Sequence, residues 1–301
     1  MSGGLQDIKK RIKSVKNIKQ VTKAMEAVSA SKMRKSVAAA LTSKNYSNLG
    51  WQLINNLAKV TDENKHPLLK KKNKINNLLL IFLTSDKGLC GGFNSQIIRQ
   101  MEQFLKINND KNIDVIAIGK KGQRVLKKIN KNIIGAYQNM SNEVSPNMLR
   151  PIAKTALDGF MQGKYDQVNI VFTDFKSAMN QVPIVRQLLP LQKDFQNLVG
   201  DAKNEKTTNE TDDVLEYIFE PNTEELLDFI LPRLLEIQIY QAVLESNASE
   251  HSARMLAMKN ATDSAIDMIH DLTLTYNQAR QASITQEIAE ISAGRAAQEE
   301  N

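Results

Sequence analysis

The sequence predicts an α/β protein in which long N- and C-terminal helices form an antiparallel coiled coil and a central βαβ domain carries a parallel sheet. Three patterns support this prediction: a helical apolar period at the start of the chain, a second at its end, and short apolar runs alternating with helical segments between them. The predicted domains are an N-terminal helix at 1–60, a globular α/β domain at 75–220 and a C-terminal helix at 221–301.

The N-terminal segment has the apolar spacing of a coiled-coil helix. Its apolar residues recur every three or four positions, at Leu5, Ile8, Ile12, Val15, Ile18, Val21, Met25 and Val28. This spacing places them along one helix face. Because the chain has no Pro before Pro67, we expect a helix over about 4–59, roughly 80 Å long at 1.5 Å per residue.

The C-terminal segment predicts a second helix of similar length. No Gly occurs between Gly200 and Gly294, and the only Pro residues there are Pro221 and Pro232. A helix over 232–292 would be roughly 90 Å long. Two helices of this length cannot each be buried in one globule, so we expect them to pair along their apolar faces as an antiparallel coiled coil.

The middle of the chain predicts a Rossmann-like domain. Continuous apolar runs at 78–84, 115–119 and 167–174 are typical of buried parallel strands. Helical patterns at 95–107, 121–129 and 147–161 separate or flank them. This alternation favours βαβ units. The polar stretch at 202–213 has no period and predicts a surface loop.

Composition restricts the class of protein. The single Cys90 excludes an intramolecular disulfide and fits a reducing compartment. No run of eighteen apolar residues predicts a membrane span, and the N-terminus lacks the apolar core of a secretory signal. Residues 1–35 hold ten basic residues against two acids, so the rest of the chain is close to neutral. Such a block suits a solvated coil face, nucleic acid, anionic lipid or an acidic protein partner.

No arrangement of residues predicts catalysis. SDKGLCGGFN, at 85–94, follows the first strand but matches neither GxGxxG nor GxxxxGK[ST], which leaves a structural turn or a simple anion site at the next helix. His251 and His270 are 19 residues apart on one helix, roughly 28 Å, too far to share a metal. Cys90 has no evident His partner. We therefore predict a non-enzymatic chain with no cofactor and no metal.

Three segments carry a family resemblance. They are IKSVKNIKQVTKAMEAVSASKMRKS at 12–36, SDKGLCGGFN at 85–94, and ASEHSARMLAMKNATDSAIDMI with YNQARQASITQEIAEISAGRAA over 248–297. In this order they closely resemble the γ subunits of F-type ATP synthases. The resemblance covers both ends and the middle of the chain.

The resemblance implies a central rotor shaft that couples proton flow through the membrane ring to ATP synthesis and hydrolysis in the catalytic head. It implies one copy per complex, no bound nucleotide, and as partners the α and β subunits, an ε subunit and the c-ring, without nucleic acid. It also implies a peripheral membrane protein on the cytoplasmic face of a bacterial inner membrane, or less readily on the matrix side of the mitochondrial one. The alternative is a basic coiled-coil protein that binds nucleic acid or a membrane surface.

The resemblance also assigns contact residues. Contacts to the catalytic β subunits are expected from Met25, Lys32, Arg34, Lys35, Arg280, Gln281, Thr285 and Glu287. Contacts to the membrane ring are expected from Tyr217, Phe219 and Glu220, although Phe219 replaces a Tyr of relatives and lacks its hydroxyl. On pattern alone, Thr285 could instead bond to its own helix, Glu287 could be solvated and Met25 could be a seam residue.

Overall fold

A computed structural model of the chain describes the backbone of residues 2–60, 66–70, 72, 74–140, 144–191 and 223–299. Side chains are described for 4–43, 66–70, 72, 74–140, 144–191, 225–293 and 295. The ten elements in chain order are α1 (Ser2–Val60), β1 (Asn77–Leu83), α2 (Phe93–Ile107), β2 (Asn112–Ile118), α3 (Lys120–Lys128), β3 (Asn132–Tyr137), α4 (Pro146–Met161), β4 (Gln167–Phe175), β5 (Gln181–Leu189) and α5 (Thr223–Glu299).

The described residues form two compact units, each considered by itself. The coil unit comprises Met1–Ser29 and Arg254–Asn301, and the sheet unit comprises Ala30–Ala253. The long terminal helices and the central α/β sheet confirm the predicted fold class. The division into domains at 1–60, 75–220 and 221–301 stays a prediction.

The sheet unit is built on five strands in the order β3-β2-β1-β4-β5. The first four are parallel, and β5 is antiparallel to β4 at one edge. β1 lies at the centre, and its residues from Leu78 to Leu83 are at most 2% exposed. A strand covered on both faces must be apolar throughout, which explains its continuous apolar run.

Helices pack on both faces of this sheet. One apolar core joins alternate residues of β1 to α4 and to the first part of α5, through residues such as Ile81, Ile152 and Leu231. The other joins the remaining residues of β1 to α2 and α3, through residues such as Phe82, Ile97 and Leu126. The two strands that the sequence did not predict, β3 and β5, are the edge strands, whose exposed side chains break the apolar run.

The helix α5 extends to both sides of Pro232. It begins at Thr223 and continues through Pro232, so it is longer at its start than the 232–292 stretch used for the length estimate. Pro in a helix interior removes one backbone hydrogen bond. Leu227, Leu231, Leu234 and Leu235 are buried on both sides of it. Their burial outweighs the local helix-breaking tendency of Pro232.

The coil unit pairs its two helices along a seam with alternating steps of three and four residues. On α1 the less exposed positions include Leu5, Ile8, Ile12, Val15, Lys19, Thr22, Glu26 and Ser29, and on α5 they include Met255, Met258, Thr262, Ala265, Ile269, Leu272, Tyr276 and Ala279. The Thr262 hydroxyl donates to the Thr22 hydroxyl at 2.8 Å, which fixes the level at which the helices meet.

The predicted seam is therefore correct only as far as Val15. Ile18, Val21 and Val28 are 51%, 58% and 55% exposed. A coiled-coil seam alternates steps of three and four, so the step after Val15 is four and reaches Lys19 rather than Ile18. The predicted stripe through Ile18, Val21 and Val28 follows hydrophobicity instead of this alternation, and its side chains lie outside the seam.

Candidate functional site

The carboxyl ends of β1 and β2 are where a Rossmann-like domain holds a nucleotide. In this protein the polar groups of the loop after β1 form hydrogen bonds within the loop and to neighbouring segments. The Ser85 hydroxyl donates to the Lys87 carbonyl at 2.7 Å, and the Asn94 side-chain amide donates to Cys90 Sγ at 3.1 Å. The Asp86 carboxylate accepts the backbone N–H groups of Lys120 at 3.0 Å and Asn139 at 2.8 Å. These bonds account for SDKGLCGGFN as a structural turn.

The two strand ends also approach each other closely. Gly119 has φ of +94°, and a Cβ there would lie 2.1 Å from the Thr84 carbonyl oxygen. The Gly122 backbone N–H donates to the Thr84 hydroxyl at 2.8 Å. Only Gly tolerates this backbone geometry and this approach at position 119. The glycine therefore serves the packing of α3 on the sheet.

The segment of α5 in the sheet unit closes the same edge. The Asn247 amide donates to the Met140 carbonyl at 2.7 Å. Val243, Ser246 and Asn247 line one side of a cavity of about 10 Å³ whose other side includes Thr84 and Asp86. A cavity of this size holds at most a single water molecule.

The structure does not bring the histidines together. His66 Nε2 lies 2.8 Å from an oxygen of Asp228, and His270 Nδ1 lies 3.7 Å from an oxygen of Asp271. Within the described residues no group of three His, Cys, Asp or Glu side chains could hold a metal. No helix in the described part of the chain is long and apolar enough to cross a membrane.

The predicted contact residues near the end of α5 form one exposed helix surface. Arg280, Gln281, Thr285 and Glu287 are all exposed. They lie among apolar side chains that are also exposed: Ile284 at 43%, Ile288 at 60% and Ile291 at 72%. Gln281 and Thr285 are four residues apart, so their side chains are neighbours on the helix. This mixed surface has the composition of a protein interface.

Hydrogen bonding distinguishes Thr285 from other threonines of α5. The Thr273 hydroxyl donates to the Ile269 carbonyl at 2.6 Å, and the Thr275 hydroxyl donates to the Asp271 carbonyl at 2.9 Å. Within the described residues Thr285 has no such bond to its own helix. Glu287 accepts a long bond of 3.4 Å from the Ser283 hydroxyl. The Thr285 hydroxyl is thus available to an external acceptor or donor.

Met25 borders the coil seam of α1 and continues the apolar stripe of Ile18, Val21 and Val28. It is half-buried and lies between Val21 and Val28, at the spacing of one helix face. We define the α1 apolar stripe as Ile18, Val21, Met25 and Val28. Met25 is also separate from the end of α5: it lies one turn from Thr22, whereas Gln281 lies 19 residues beyond Thr262, roughly 28 Å along the helix. The assignment of both residues as contacts to the catalytic subunits stays a prediction.

The basic residues that follow on α1 are on the surface of the sheet unit. Arg34 and Lys35 are exposed and Lys32 is half-buried. The predicted membrane-ring residues Tyr217, Phe219 and Glu220 lie outside the described residues, as does the predicted loop at 202–213.

A buried polar cluster was missed by the sequence analysis. Asp174 of β4, Arg186 of β5 and Glu245 of α5 are 6%, 8% and 6% exposed. The Arg186 guanidinium lies 4.8 Å from the Phe172 ring centre, and the Gln241 amide donates to Glu245 at 2.8 Å. Burial raises the pKa of Glu245 to about 7 against the opposing Gln241 bond and Arg186 charge. The available signal was the polar series Gln238, Gln241, Glu245, Ser249 and Ser252 at helical spacing.

A family model described as ATP synthase matches residues 4–297 of this chain. The ATP synthase gamma chain of Legionella pneumophila (strain Corby) is 40% identical over 296 residues, which is 98% of this chain and 99% of the relative. That of Heliobacterium modesticaldum is 39% identical over 294 residues, with 98% and 99% covered.

Two solved structures share the fold. A chain of the Tetrahymena thermophila mitochondrial ATP synthase central stalk and c-ring has a TM-score of 0.58 and 28% identity, over 80% of this chain and 99% of that one. A chain of the Euglena gracilis mitochondrial ATP synthase, in a structure of OSCP, F1 and c-ring, has a TM-score of 0.65 and 20% identity, over 99% and 95%.

Proposed function

The chain belongs to the family of ATP synthase γ chains, and on that premise we propose which of its surfaces engage the other subunits. The family match confirms the resemblance found in the sequence. The protein is a rotor subunit of the central stalk of an F-type ATP synthase, a membrane-associated complex. Family membership also replaces the alternative of a nucleic-acid or membrane-surface binder.

The observation that carries the proposal is that both helices of the coil unit expose apolar side chains although their seam is already filled. Ile18, Val21 and Val28 of α1 and Ile284, Ile288 and Ile291 of α5 are each more than 40% exposed. Apolar surface of this extent on a soluble helix pair favours contact with a partner. We assign that partner as the catalytic head, made of α and β subunits.

At the end of α5, Arg280, Gln281, Thr285 and Glu287 supply the polar part of this contact with the β subunits. A neutral hydrogen bond contributes only about 1 kcal/mol net, so several together bias one state and each is still easily broken. A contact of this strength suits a rotor, which must favour different states of the catalytic sites in turn.

A second contact level lies on α1. Met25 is the half-buried member of the α1 apolar stripe, where a flexible apolar side chain can adapt to changing neighbours. Lys32, Arg34 and Lys35 are proposed to meet acidic surface of the catalytic subunits. Neutralising all three should change turnover while the isolated chain stays folded, because Arg34 and Lys35 are exposed, Lys32 is only half-buried, and ion pairs at the surface contribute little to stability. An unfolded triple variant would contradict this assignment.

The remaining assignments concern the complex as a whole. We propose that one copy of this chain turns per complex, breaks no bond itself and couples proton flow to ATP synthesis and hydrolysis. Its other partners are an ε subunit and the c-ring, the latter through Tyr217, Phe219 and Glu220. The proposed location is the cytoplasmic face of a bacterial inner membrane.

A photo-crosslinking amino acid at position 281 tests the main contact. In the assembled complex it should form an adduct with a β subunit, and the complex should contain one copy of this chain. The control position is Ile107, which is 79% exposed in the sheet unit. Adducts to β at Ile107 and none at position 281 would overturn the assignment.

A further inference from the structure

The α3 helix carries a cationic stripe that the rotor function does not use. Residues 120–131 contain six basic residues and no acid, KKGQRVLKKINK. The cationic stripe is defined as Lys120, Arg124, Lys127, Lys128 and Lys131. At about 100° per residue the four positions within α3, from Lys120 to Lys128, span an arc of roughly 100° on one helix face, and Lys131 follows the end of the helix; Gly122 and Leu126 on the other side are buried.

The positive charge of the stripe is concentrated in a short segment that contains no acidic residue. The whole chain has a net charge of +7, of which residues 1–35 supply +8 and residues 120–131 supply +6, so the rest is acidic at −7. Within the described residues none of the five stripe side chains has an ion pair. The nearby Asp114 carboxylate instead accepts bonds from the Asn132 amide at 2.7 Å and from the Tyr165 hydroxyl at 2.8 Å.

The stripe runs beside the free edge of the sheet. β3 follows α3 directly, and among the strands that the structure describes it is a terminal one, paired with β2 alone. The Gln123 amide of α3 donates to the Tyr137 carbonyl at 3.2 Å and so holds the helix against this strand. Ile134 of β3 and Ile129, just after α3, are 36% and 39% exposed. Backbone donors and acceptors, exposed apolar atoms and five cations thus occur together.

We propose that α3 and the edge of β3 form a docking surface for an acidic, extended segment of a partner protein. Only a polypeptide can match the backbone groups of a strand edge, and acidic side chains match the stripe. A lipid surface offers no such backbone groups, and the segment has no exposed aromatic residue to anchor it there. A second copy of this chain would bring the same five cations and be repelled, which is how Lys residues protect a strand edge from self-association.

The full-length chain and a labelled peptide of alternating Glu and Thr test this surface. The test variant carries Lys120→Gln, Arg124→Gln, Lys127→Gln and Lys128→Gln. A matched control carries Lys9→Gln, Lys10→Gln, Lys13→Gln and Lys16→Gln, which removes the same charge from exposed positions of α1. The peptide should bind the test variant at least tenfold more weakly than the unmodified chain, and the control less than twofold more weakly.

Hydrogen exchange separates strand docking from general attraction. Peptide binding should protect backbone amides of β3, over Asn132–Tyr137, in the unmodified chain. Absence of peptide binding, equal loss in both variants, or binding without protection of β3 would overturn the proposal. So would stripe-dependent binding to phosphatidylglycerol vesicles that is stronger than binding to the peptide.

Discussion

The sheet unit and the coil unit treat apolar side chains in opposite ways. In the sheet unit, Leu78 to Leu83 of β1 are at most 2% exposed, and helices cover them on both faces. In the coil unit, Ile18, Val21 and Val28 are more than half exposed, although each is as apolar as a core residue. The seam of the same helices includes Lys19, Thr22, Glu26 and Ser29.

The difference shows that hydrophobicity has two uses in this chain. In the sheet unit it stabilises the fold, because each buried apolar side chain is removed from water. In the coil unit part of it stays exposed, and we propose that this part serves partners. The seam of the coil combines apolar side chains, such as those from Leu5 to Val15, with small and polar ones such as Thr22 and Ser29. Residues that control stability and residues that control rotation should therefore be separable by mutation.

The largest effect is expected from matched isoleucines in the two units. Ile81→Ala removes a side chain that is 0% exposed, and it should lower the free energy of unfolding by about 2–5 kcal/mol. Ile18→Ala, at 51% exposure, should change it by less than about 0.5 kcal/mol. Urea unfolding followed by circular dichroism measures both.

The exposed position should matter for function instead of stability. Ile18→Ala should reduce ATP-driven proton pumping in membranes without lowering the content of this chain. If Ile18→Ala destabilises the isolated chain as much as Ile81→Ala does, the exposed stripe belongs to the fold and the comparison fails.

The buried cluster of the sheet unit gives the next effect, as a dependence on pH. Burial raises the pKa of Glu245 to about 7 from 4.5. The folded chain therefore binds more protons than the unfolded chain between these values, and the free energy of unfolding falls as pH rises through this window. Glu245→Gln stays neutral, so it should remove this fall, a gain on the order of 3 kcal/mol at pH 8.

The control variant is chosen from the groups that act on the pKa of Glu245. Arg186 and the Gln241 bond lower its pKa, and Asp174 raises it. Unfolding of the unmodified chain, Glu245→Gln and Asp174→Asn is compared from pH 4.5 to 8. A wild-type stability that rises with pH across this range, unaltered by Glu245→Gln, would show that Glu245 is charged throughout.

The sequence alone predicted the elements for which one physical signal, a continuous apolar run or a long stretch without Gly and Pro, dominates. The three central strands are continuous apolar runs because helices cover both faces, and the long helices lack Gly and Pro through most of their length. The edge strands were missed because β3 and β5 are partly exposed and β5 contains Pro183, which disfavours a strand prediction.

The register of the coil could not be predicted from one helix. After Val15 two stripes compete, an apolar one through Ile18 and Val21 and a polar one through Lys19 and Thr22. Which stripe of α1 forms the seam depends on α5. Thr262 of α5 bonds to Thr22, and the small residue Ala265, one turn further along α5, is buried. The proposed contact surface at the end of α5 was assigned from its sequence motif. Its apolar period could not have identified it, because the exposed Ile residues there have the same spacing as a buried seam.

A smaller effect, on function alone, is expected at Gln281 and Thr285. Replacing both with Ala should retain the helix and the stability of the isolated chain, since Ala is the better helix former. ATP hydrolysis in the assembled complex should fall by up to about thirtyfold, since the two lost bonds contribute about 1 kcal/mol each. The pair should be non-additive if both side chains engage one loop of the partner.

The control for this pair is Thr273→Ala with Thr275→Ala, whose hydroxyls already bond to their own helix. This control should hydrolyse ATP within about twofold of the unmodified complex, because its lost bonds contribute about 1 kcal/mol or less to the helix and none to a partner. Equal losses in the two double variants would remove the distinction between paired and unpaired threonines.

The smallest effect tests the seam itself, at the Thr22–Thr262 pair. Thr22 is 9% and Thr262 is 4% exposed, and the 2.8 Å bond between their hydroxyls joins the two helices. The single hydroxyl proton of Thr262 has a second acceptor in reach, the Met258 carbonyl at 2.8 Å, and the Thr22 hydroxyl can donate to the Lys19 carbonyl at 3.1 Å. Each hydroxyl is therefore shared between its own helix and the other, so loss of the interhelical bond alone should cost less than about 1 kcal/mol.

Valine matches threonine in shape, so a double-mutant cycle isolates this bond. Thr22→Val and Thr262→Val should each destabilise the chain, because each leaves a buried hydroxyl on the partner helix less well paired. The double variant should recover most of that loss, since it buries two methyl groups against each other and leaves no polar atom. Simple additivity of the two losses would mean that these residues do not meet in solution and would break the antiparallel register derived for the coil.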